Sequence, residues 1–167
     1  MIRNRRTIHE SFVSPGSSRR GAEQKRYEMM SKFVIERDPT LEQIQYLEDR
    51  IYEFNSTVTG LTDGEMIAIF VRDADARIVA GICGNTWGGC FEIRQFWVEE
   101  RRRKHGVGTA LLYAAEEEAH RRGCSQIILM TFSFQARGFY TKRGFRVLAT
   151  VDHHPRGHKN LLMRKQL

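Results

Sequence analysis

The chain has 167 residues and a mass of 19.5 kDa; 41% of its residues are hydrophobic, and its formal net charge is +7. This size and composition indicate one compact domain and exclude a disordered or collagen-like protein. The three cysteines form no C-x-x-C pair and the longest apolar runs have six residues, so a reducing location, the cytoplasm, is expected without a membrane-spanning segment.

The positive charge is concentrated at the amino terminus. Residues 1–26 hold seven lysines and arginines against two glutamates, a net +5, which leaves +2 for the rest of the chain. This segment includes Ser-Pro-Gly-Ser-Ser at residues 14–18 and lacks apolar periodicity. We therefore predict a basic arm over residues 1–30, extended or weakly ordered, before a domain over residues 31–167. Two interpretations of the arm stay open: a solvated extension, or a contact for nucleic acid or a protein partner.

The first half of the domain is predicted to contain a strand, a helix and then a three-stranded meander. Phe33, Val34 and Ile35 indicate a short strand, and Thr40 has capping-box spacing to Gln43 at the start of a helix. Apolar residues recur there at helical spacing, which predicts a face buried against a sheet: Leu41, Ile44, Leu47, Ile51 and Phe54. The meander is predicted over residues 66–72, 78–86 and 90–98.

The second half alternates helices and strands. Residues 106–122 favour a long helix that stops at Gly123, and residues 135–142 favour a short one. The apolar run at residues 127–130 is typical of a strand covered on both faces, and residues 145–151 and 160–164 suit a closing hairpin. The predicted fold class is α/β (α+β): a mixed central sheet of six to seven strands, antiparallel in its first half, with a parallel crossover through the long helix and flanking helices.

The segment from Phe96 to Thr109 carries the clearest chemical signal. A predicted strand ends at Val98, and a basic loop with Gly106 and Gly108 leads directly into the long helix. Such a junction exposes unpaired backbone N–H groups at the positive end of the helix dipole, where phosphate binds. The four cations of residues 101–104 add to this attraction. The segment therefore predicts an anion site for a phosphate compound.

Motif spacing narrows the kind of phosphate site. The P-loop string G-x-x-x-x-G-K-[S/T] is absent from the sequence. The dinucleotide fingerprint G-x-G-x-x-G fails because Leu111 stands at its third glycine position. What remains is R-x-x-G-x-G, from Arg103 to Gly108, following the last strand of a meander.

These features together resemble the GNAT superfamily of acetyl-CoA-dependent N-acetyltransferases, over about residues 32–167. The specific segments are residues 98–108 with the helix after them, and the A-x-x-x-Y-x-x-x-G-F signature at residues 136–145. Both occur in the expected order. The D-x-x-P-x-G-H segment at residues 152–158 resembles a subgroup of small-molecule acetyltransferases. The resemblance implies a GNAT-like sheet and acetyl-CoA as acyl donor.

The resemblance also implies which residues hold the donor. Backbone groups of Phe96, Trp97 and Val98 are expected to pair with the pantetheine arm as if it were an added strand. A free N–H near Val98 is expected to face the thioester oxygen. Backbone N–H groups of the loop are expected to hold the pyrophosphate: Arg103, Lys104, His105, Gly106, Val107, Gly108 and Thr109. Ser133 stands where many members of the family have an asparagine that contacts the cofactor, and Gln135 is the candidate to replace it.

Two catalytic residues follow from the same resemblance. A primary amine with a pKa of about 10 is protonated at neutral pH and needs a base. Glu92 matches the glutamate base of some GNAT enzymes, and simple alternation places it on the same strand face as Val98; Asp152 is the reserve candidate. Tyr140 matches the family's tyrosine, which we expect to hydrogen-bond the leaving thiolate rather than to protonate it fully.

The predicted activity is direct acetyl transfer to a primary amine of a small molecule. Two alternatives stay open: a protein or aminoacyl-tRNA acceptor, which the basic arm would attract, and a non-catalytic acyl-CoA sensor. No metal is expected, because His153, His154 and His158 lie in a loop without a zinc-binding pattern. Membrane and nucleic acid are not expected partners; family members are often dimers, so a homodimer is a further expectation.

Overall fold

The computed structural model describes the backbone of residues 16–167 and the side chains of residues 21–27 and 29–167. Residues 1–15 of the predicted arm lie outside the described residues. The chain divides into two compact units, one ending at Glu48 and the other covering Asp49–Leu167. All candidate site residues named above belong to the second unit. The division into an arm and a domain at residue 30 stays a prediction.

Two helices precede the sheet. Helix α1, Gly16–Met30, forms where an extended arm was expected. Its Ala, Glu, Gln, Lys and Arg residues have high helix propensity, which here decides the backbone conformation without an amphipathic pattern. Helix α2, Leu41–Thr59, confirms the predicted helix and its capping box, in which the Thr40 N–H donates to Gln43 Oε1 at 2.7 Å.

Two expectations for this region are wrong. Phe33, Val34 and Ile35 form no strand and are exposed, because β-branched residues favour a strand only where another strand pairs with them. The apolar face of α2 is not buried: none of that helix's residues falls in the buried class. The helix forms from its local capping and propensity signals, whereas burial needs a covering element that the sequence pattern does not supply.

The sheet has six strands in the order β1-β2-β3-β4-β6-β5. Their bounds are Glu65–Arg72, Ile78–Trp87, Cys90–Val98, Gln126–Phe132, Arg146–Asp152 and Lys159–Gln166 for β1 to β6 in chain order. Only the β3–β4 pair is parallel among these strands, and helix α3, Val107–Arg121, connects the two. Helix α4, Arg137–Thr141, lies between β4 and β5. The predicted mixed sheet with its parallel crossover is thereby confirmed.

The core lies between the sheet and α3. Buried residues of α3 pack against buried residues that alternate along the strands, and Phe96 and Val98 are partly buried against the same cluster. The main members are Ile67, Ala80, Ile82, Phe91, Ile93, Leu111, Leu112, Ala115, Ala119, Ile127, Leu129 and Met163. We call this side of the sheet the α3 face.

A β-bulge interrupts the pairing of β2 with β3. Gly84 pairs with Ile93 but the preceding residue, Cys83, pairs with Gln95, so Arg94 is an extra residue in β3. The bulge reverses the alternation of side chains along the strand. Residues of β3 and β4 whose side chains point away from α3 define the second face of the sheet: Glu92, Gln95, Trp97, Ile128 and Met130.

Gly84 permits the close approach of the two strands at the bulge. A Cβ atom built at this position lies 1.9 Å from the Glu92 carbonyl oxygen, a backbone atom that cannot move without breaking the pairing. We predict that Gly84→Ala lowers the free energy of unfolding by about 2–3 kcal/mol, the usual cost of overpacking. Urea denaturation of the variant and the parent protein measures this difference in the free energy of unfolding.

Gly138→Ala is the matched control for this substitution. A Cβ atom at Gly138 meets no atom within 4 Å, so the same change there should alter stability by less than about 1 kcal/mol. Equal unfolding midpoints for the two variants would show that the approach at Gly84 is not constrained.

Candidate active site

A cleft opens between β3 and β4 in the second unit. The pairing of the two strands ends at Ile93 and Leu129, directly before the bulge. Beyond this point the strands separate and enclose a cleft of about 1150 Å³, which exceeds the roughly 300–1,000 Å³ of most small-ligand sites. The edge of β3 that faces β4 from Arg94 to Val98 is therefore not paired by β4. An extended ligand with amide groups can pair with such an edge.

The amino terminus of α3 lies at the same cleft. Gly106 precedes the helix with φ +85° and Lys104 has φ +64°, both in the left-handed region that favours glycine. Gly106 and Gly108 line the cleft, and a Cβ atom at Gly106 meets no atom within 4 Å. Backbone N–H groups of the first helical turn therefore lie beside open space, as an anion site requires.

The four cations of residues 101–104 have two different environments. Arg101 and Arg102 both donate to Glu99, and these hydrogen bonds, that of Arg101 first, hold the pKa of Glu99 below its ordinary value. Arg103 and Lys104 line the cleft instead. The Nε of Arg103 also donates to the Val98 carbonyl at 2.9 Å. Two of the four predicted cations are thus positioned for a ligand in the cleft.

Most of the predicted donor-binding residues line the cleft. Those that do so are Phe96, Trp97, Val98, Arg103, Lys104, Gly106, Gly108, Thr109 and Tyr140. His105, Val107 and Ser133 are not among the lining residues; Val107 packs against the core and His105 is exposed.

Ser133 makes contacts within the protein. Its N–H donates to the Lys159 carbonyl, and its Oγ accepts from the Lys159 N–H at 3.2 Å. Gln135 lines the cleft, with its Oε1 accepting from the Phe132 N–H and from the Thr131 hydroxyl. The structure thus places Gln135, rather than Ser133, at the cleft.

Tyr140 stands where the cleft meets the core. Its side chain is buried among Phe96, Phe139 and Phe145, with ring centroids 5.3–6.2 Å away. Burial raises the pKa of Tyr140 to about 12, because the phenolate is costly to form away from water. The residue therefore lines the cleft as a neutral hydroxyl, a potential hydrogen-bond donor.

The expected position of Glu92 is wrong in one respect. Asn85 pairs with Glu92 whereas Ala80 pairs with Val98, so these two β3 residues lie on opposite faces of the sheet. The cause is the bulge at Arg94, which shifts the alternation by one residue. Glu92 lies on the second face, is partly buried, and is not among the residues that line the cleft.

Asp152, the reserve base, is engaged elsewhere. Its carboxylate forms an ion pair with Lys159 at 2.8 Å, and this partner lowers the pKa of Asp152. Among the described residues, no group of three or more histidine, cysteine, aspartate or glutamate side chains is arranged to hold a metal ion. None of the described helices has the length and apolar character needed to cross a membrane.

The sequence did not indicate the role of Arg143 or Arg94. Arg143 lies over the Phe139 ring, 3.8 Å from its centroid, and donates to the Thr109 hydroxyl in the first turn of α3. It thereby links α4 to the start of α3. Arg143 follows Phe139 by four residues, and this helical spacing is the feature of the sequence that could have predicted their contact. Arg94 lines the cleft as the bulged residue, which no local pattern indicates.

Comparison with known proteins agrees with this geometry. The sequence profile described as the Acetyltransferase (GNAT) family matches residues 27–145. A blasticidin-S acetyltransferase from Streptomyces morookaense is 29% identical over 104 residues, which are 62% of this chain and 76% of that protein.

Solved structures have the same fold. The crystal structure of an acetyltransferase from Bacillus cereus has a TM-score of 0.65 and 31% identity, covering 81% of this chain and 98% of the other. An aminoglycoside 6'-N-acetyltransferase crystallised with coenzyme A has a TM-score of 0.54 and 21% identity, covering 68% and 77%.

The burial of Tyr140 predicts an alkaline loss of stability. An unfolded tyrosine ionises near pH 10, whereas the folded residue keeps its proton to about pH 12. Between these values the unfolded chain binds fewer protons, so the free energy of unfolding falls as pH rises, by roughly 2–3 kcal/mol from this residue. Tyr140→Phe should reduce this fall, measured by urea denaturation at several pH values.

Tyr113→Phe, a change at an exposed ring of α3, is the control and should keep the slope of the parent protein. If Tyr140→Phe also keeps that slope, the phenol is not desolvated as described.

Proposed function

Since the chain belongs to the GNAT family of acetyltransferases, we propose that it transfers an acetyl group from acetyl-CoA directly to a primary amine of a small molecule. One observation carries the proposal. A single cleft combines a strand edge that β4 does not pair, a helix amino terminus with a left-handed glycine, and a buried tyrosine hydroxyl. These are the groups needed for an extended amide chain, a diphosphate and a leaving thiolate.

The donor fits the residues on this cleft. The pantetheine arm would pair with the β3 edge at Phe96–Val98, and the diphosphate would accept from N–H groups at the start of α3. Arg103 and Lys104 supply positive charge beside it. The use of coenzyme A by the structurally similar aminoglycoside acetyltransferase supports this assignment.

The reaction needs no covalent enzyme intermediate. The amine nitrogen attacks the thioester carbonyl carbon, a C–N bond forms, and the C–S bond breaks as coenzyme A leaves as a thiolate. One proton is lost from the ammonium group before attack and a second from nitrogen during collapse; the thiolate takes up one proton and one is released to solvent. The protein's task is to orient the amine, accept protons and stabilise the oxygen and sulfur charges.

Glu92 is our candidate for the proton acceptor. It precedes the bulge by two residues on the second face, the same face as Trp97 and Met130 of the cleft. An amine that approaches from this face meets the thioester from the side opposite α3. Asp152 is a weaker candidate because its ion pair with Lys159 stabilises the unprotonated carboxylate and lowers its basicity.

Tyr140 would donate a hydrogen bond to the departing sulfur. A simple thiol has a pKa of about 8.5, well below the value of about 12 for Tyr140, so complete proton transfer from tyrosine to thiolate is uphill. A hydrogen bond from the neutral phenol stabilises the thiolate without that cost.

A small acceptor is supported by the similarity to an enzyme named for blasticidin S. The alternatives of a protein or aminoacyl-tRNA acceptor, and of a non-catalytic acyl-CoA sensor, are tested by the activity experiment described below.

The two environments of the loop arginines give a matched prediction for donor binding. Arg103→Ala should weaken acetyl-CoA binding about tenfold or more, because it removes a cleft-lining cation and its bond to Val98. Arg101→Ala removes the same charge from a side chain paired with Glu99 and should change the affinity by less than about threefold. Isothermal titration calorimetry measures both. Equal losses would indicate nonspecific electrostatics in place of a defined phosphate site.

Activity is tested by thiol release from acetyl-CoA in the presence of primary amines. Tyr140→Phe should lower kcat by about 10- to 100-fold with little change in the affinity for acetyl-CoA. Glu92→Gln should lower kcat at neutral pH by about 100-fold and recover part of the rate near pH 10, where the amine loses its proton unaided.

Glu117→Gln, on α3 away from the cleft, is the control for Glu92→Gln and should retain the parent rate. Acetyl-CoA binding without transfer to any amine would favour the sensor. Transfer to peptides or aminoacyl-tRNA but not to free amines would favour a macromolecular acceptor.

A further inference from the structure

Asn85 and Glu92 are cross-strand neighbours on the second face of the sheet. Asn85 of β2 pairs with Glu92 of β3 in the register before the bulge. Side chains of directly opposed residues lie on the same face, with Cβ atoms about 4.5–5.5 Å apart. The next pair along this face is Cys83 with Gln95, and Gln95 lines the cleft. The Asn85–Glu92 pair therefore lies directly before the cleft opens, on the face from which the proposed acceptor approaches.

Both side chains carry hydrogen-bond acceptors that the described part of the chain does not use. The Asn85 Oδ1 atom is buried and has no hydrogen-bond partner there. The Glu92 carboxylate forms no ion pair or hydrogen bond with the residues whose side chains are described. Gln95 differs, because its Oε1 accepts from the Cys83 thiol at 3.0 Å. A buried acceptor without a partner is costly to the fold, so its presence is explained if a ligand supplies the donor.

Two adjacent acceptors without a donor between them fit a group that is rich in N–H bonds. A primary ammonium has three N–H bonds, and the neutral amine formed from it keeps two. If one N–H donates to Asn85 Oδ1 and the other to an oxygen of Glu92, the nitrogen lone pair is directed away from both acceptors. A neutral secondary amine has one N–H and leaves one of the two acceptors unpaired.

The donor position proposed above would place the thioester next to this pair. The diphosphate lies at the amino terminus of α3, and the pantetheine arm pairs with β3 at Phe96–Val98, extending toward Arg94. Its far end therefore approaches the point where β3 and β4 meet, at Ile93 and Leu129. Glu92 is the residue directly before Ile93. A nitrogen held by Glu92 is thus close to the carbon that it attacks.

From these two unused acceptors we infer that Asn85 and Glu92 together hold the acceptor nitrogen, and that Asn85 makes the enzyme selective for primary over secondary amines. The inference rests on the proposed function and adds to it a binding residue and the class of amine. Asn85 Oδ1 accepts one N–H of the amine, Glu92 takes up the ammonium proton, and the lone pair attacks the thioester carbon. The amide product has one N–H and pairs with one acceptor only, which favours its release.

The first experiment compares primary amines with their N-methyl derivatives at saturating acetyl-CoA, with thiol release as the readout. The probes are propylamine and benzylamine, each against its N-methyl form. We expect kcat/KM of the parent protein to be about thirtyfold or more higher for the primary amine, because the secondary amine leaves a buried acceptor unpaired. Asn85→Leu removes that acceptor and should lower the ratio at least tenfold. It should raise the KM for the primary amine about tenfold and change kcat/KM for the secondary amine less than about threefold.

Three further variants separate contact with the amine from a structural role. Asn85→Ala removes the oxygen without adding volume and should lower the ratio about fivefold or more, which keeps the test valid if leucine does not fit. Asn85→Asp keeps an oxygen acceptor in place and should keep the ratio within about threefold of the parent value. Asn160→Leu is the matched control: it removes another buried amide oxygen without a partner, on β6 and outside the cleft lining, and should not change the ratio. All four variants should keep the parent affinity for acetyl-CoA in calorimetry.

The outcomes separate this inference from the proposed function. A ratio that is unchanged in both Asn85→Leu and Asn85→Ala would overturn the role of Asn85 while leaving acetyl transfer established. An equal fall in Asn160→Leu would also overturn it, because the effect would then not depend on proximity to Glu92. A parent protein that uses the N-methyl amines as efficiently as the primary amines would overturn the selectivity. Acetyl-CoA binding with no transfer to any primary amine tested would reject the enzymatic function, and this inference with it.

Discussion

One extra residue in β3 determines the geometry of the whole site. The pairing of β3 with β4 ends at Ile93 and Leu129, and the cleft lies beyond this point. Arg94 interrupts the register with β2, and β3 leaves β4 directly after it. Gly84 allows this because a larger residue would collide with the Glu92 carbonyl. This interruption coincides with the start of the cleft and with the edge of β3 that β4 does not pair. It also sets which face of the sheet carries each proposed catalytic group.

The bulge also places the residues proposed for the two substrates on opposite faces of the sheet. Phe96 and Val98 lie on the α3 face, near the helix terminus proposed for the diphosphate, whereas Glu92, Trp97 and Met130 lie on the second face. A gap between β3 and β4 connects the two sides. Direct transfer through a gap requires no acyl-enzyme. The cysteines agree with this, because burial raises the pKa values of Cys90 and Cys124 and so disfavours their nucleophilic thiolates.

Local signals in the sequence predicted most of the helices and strands well. The glycines around α3, the capping box of α2 and the meander turns each encode a conformation within a few residues, so their positions could be read directly. Most of the predicted donor-binding residues that line the cleft were identified in the same way, because several are contiguous in the loop before α3. Features that depend on tertiary pairing were missed. Phe33, Val34 and Ile35 have strand propensity, but no strand pairs with them within residues 16–167, and the apolar face of α2 predicted burial that no local pattern can guarantee.

The failure at Glu92 has a more specific cause. Counting six residues back from Val98 gives the same face only if the strand is regular, and the bulged residue is a polar arginine like many others in exposed strands.

The charge of the cleft agrees with the donor proposed for it. Arg103 and Lys104 line the cleft, where they can attract phosphate groups. Arg143 also lines it, but its guanidinium contacts the Phe139 ring of α4 and the Thr109 hydroxyl at the start of α3. Bound acetyl-CoA would balance these cations with its phosphates, so the charge of the cleft alone does not select among acceptor amines. The stacked rings of Phe132 and Phe134, the second of them exposed, add apolar surface to a cleft whose charged groups are proposed to serve the donor.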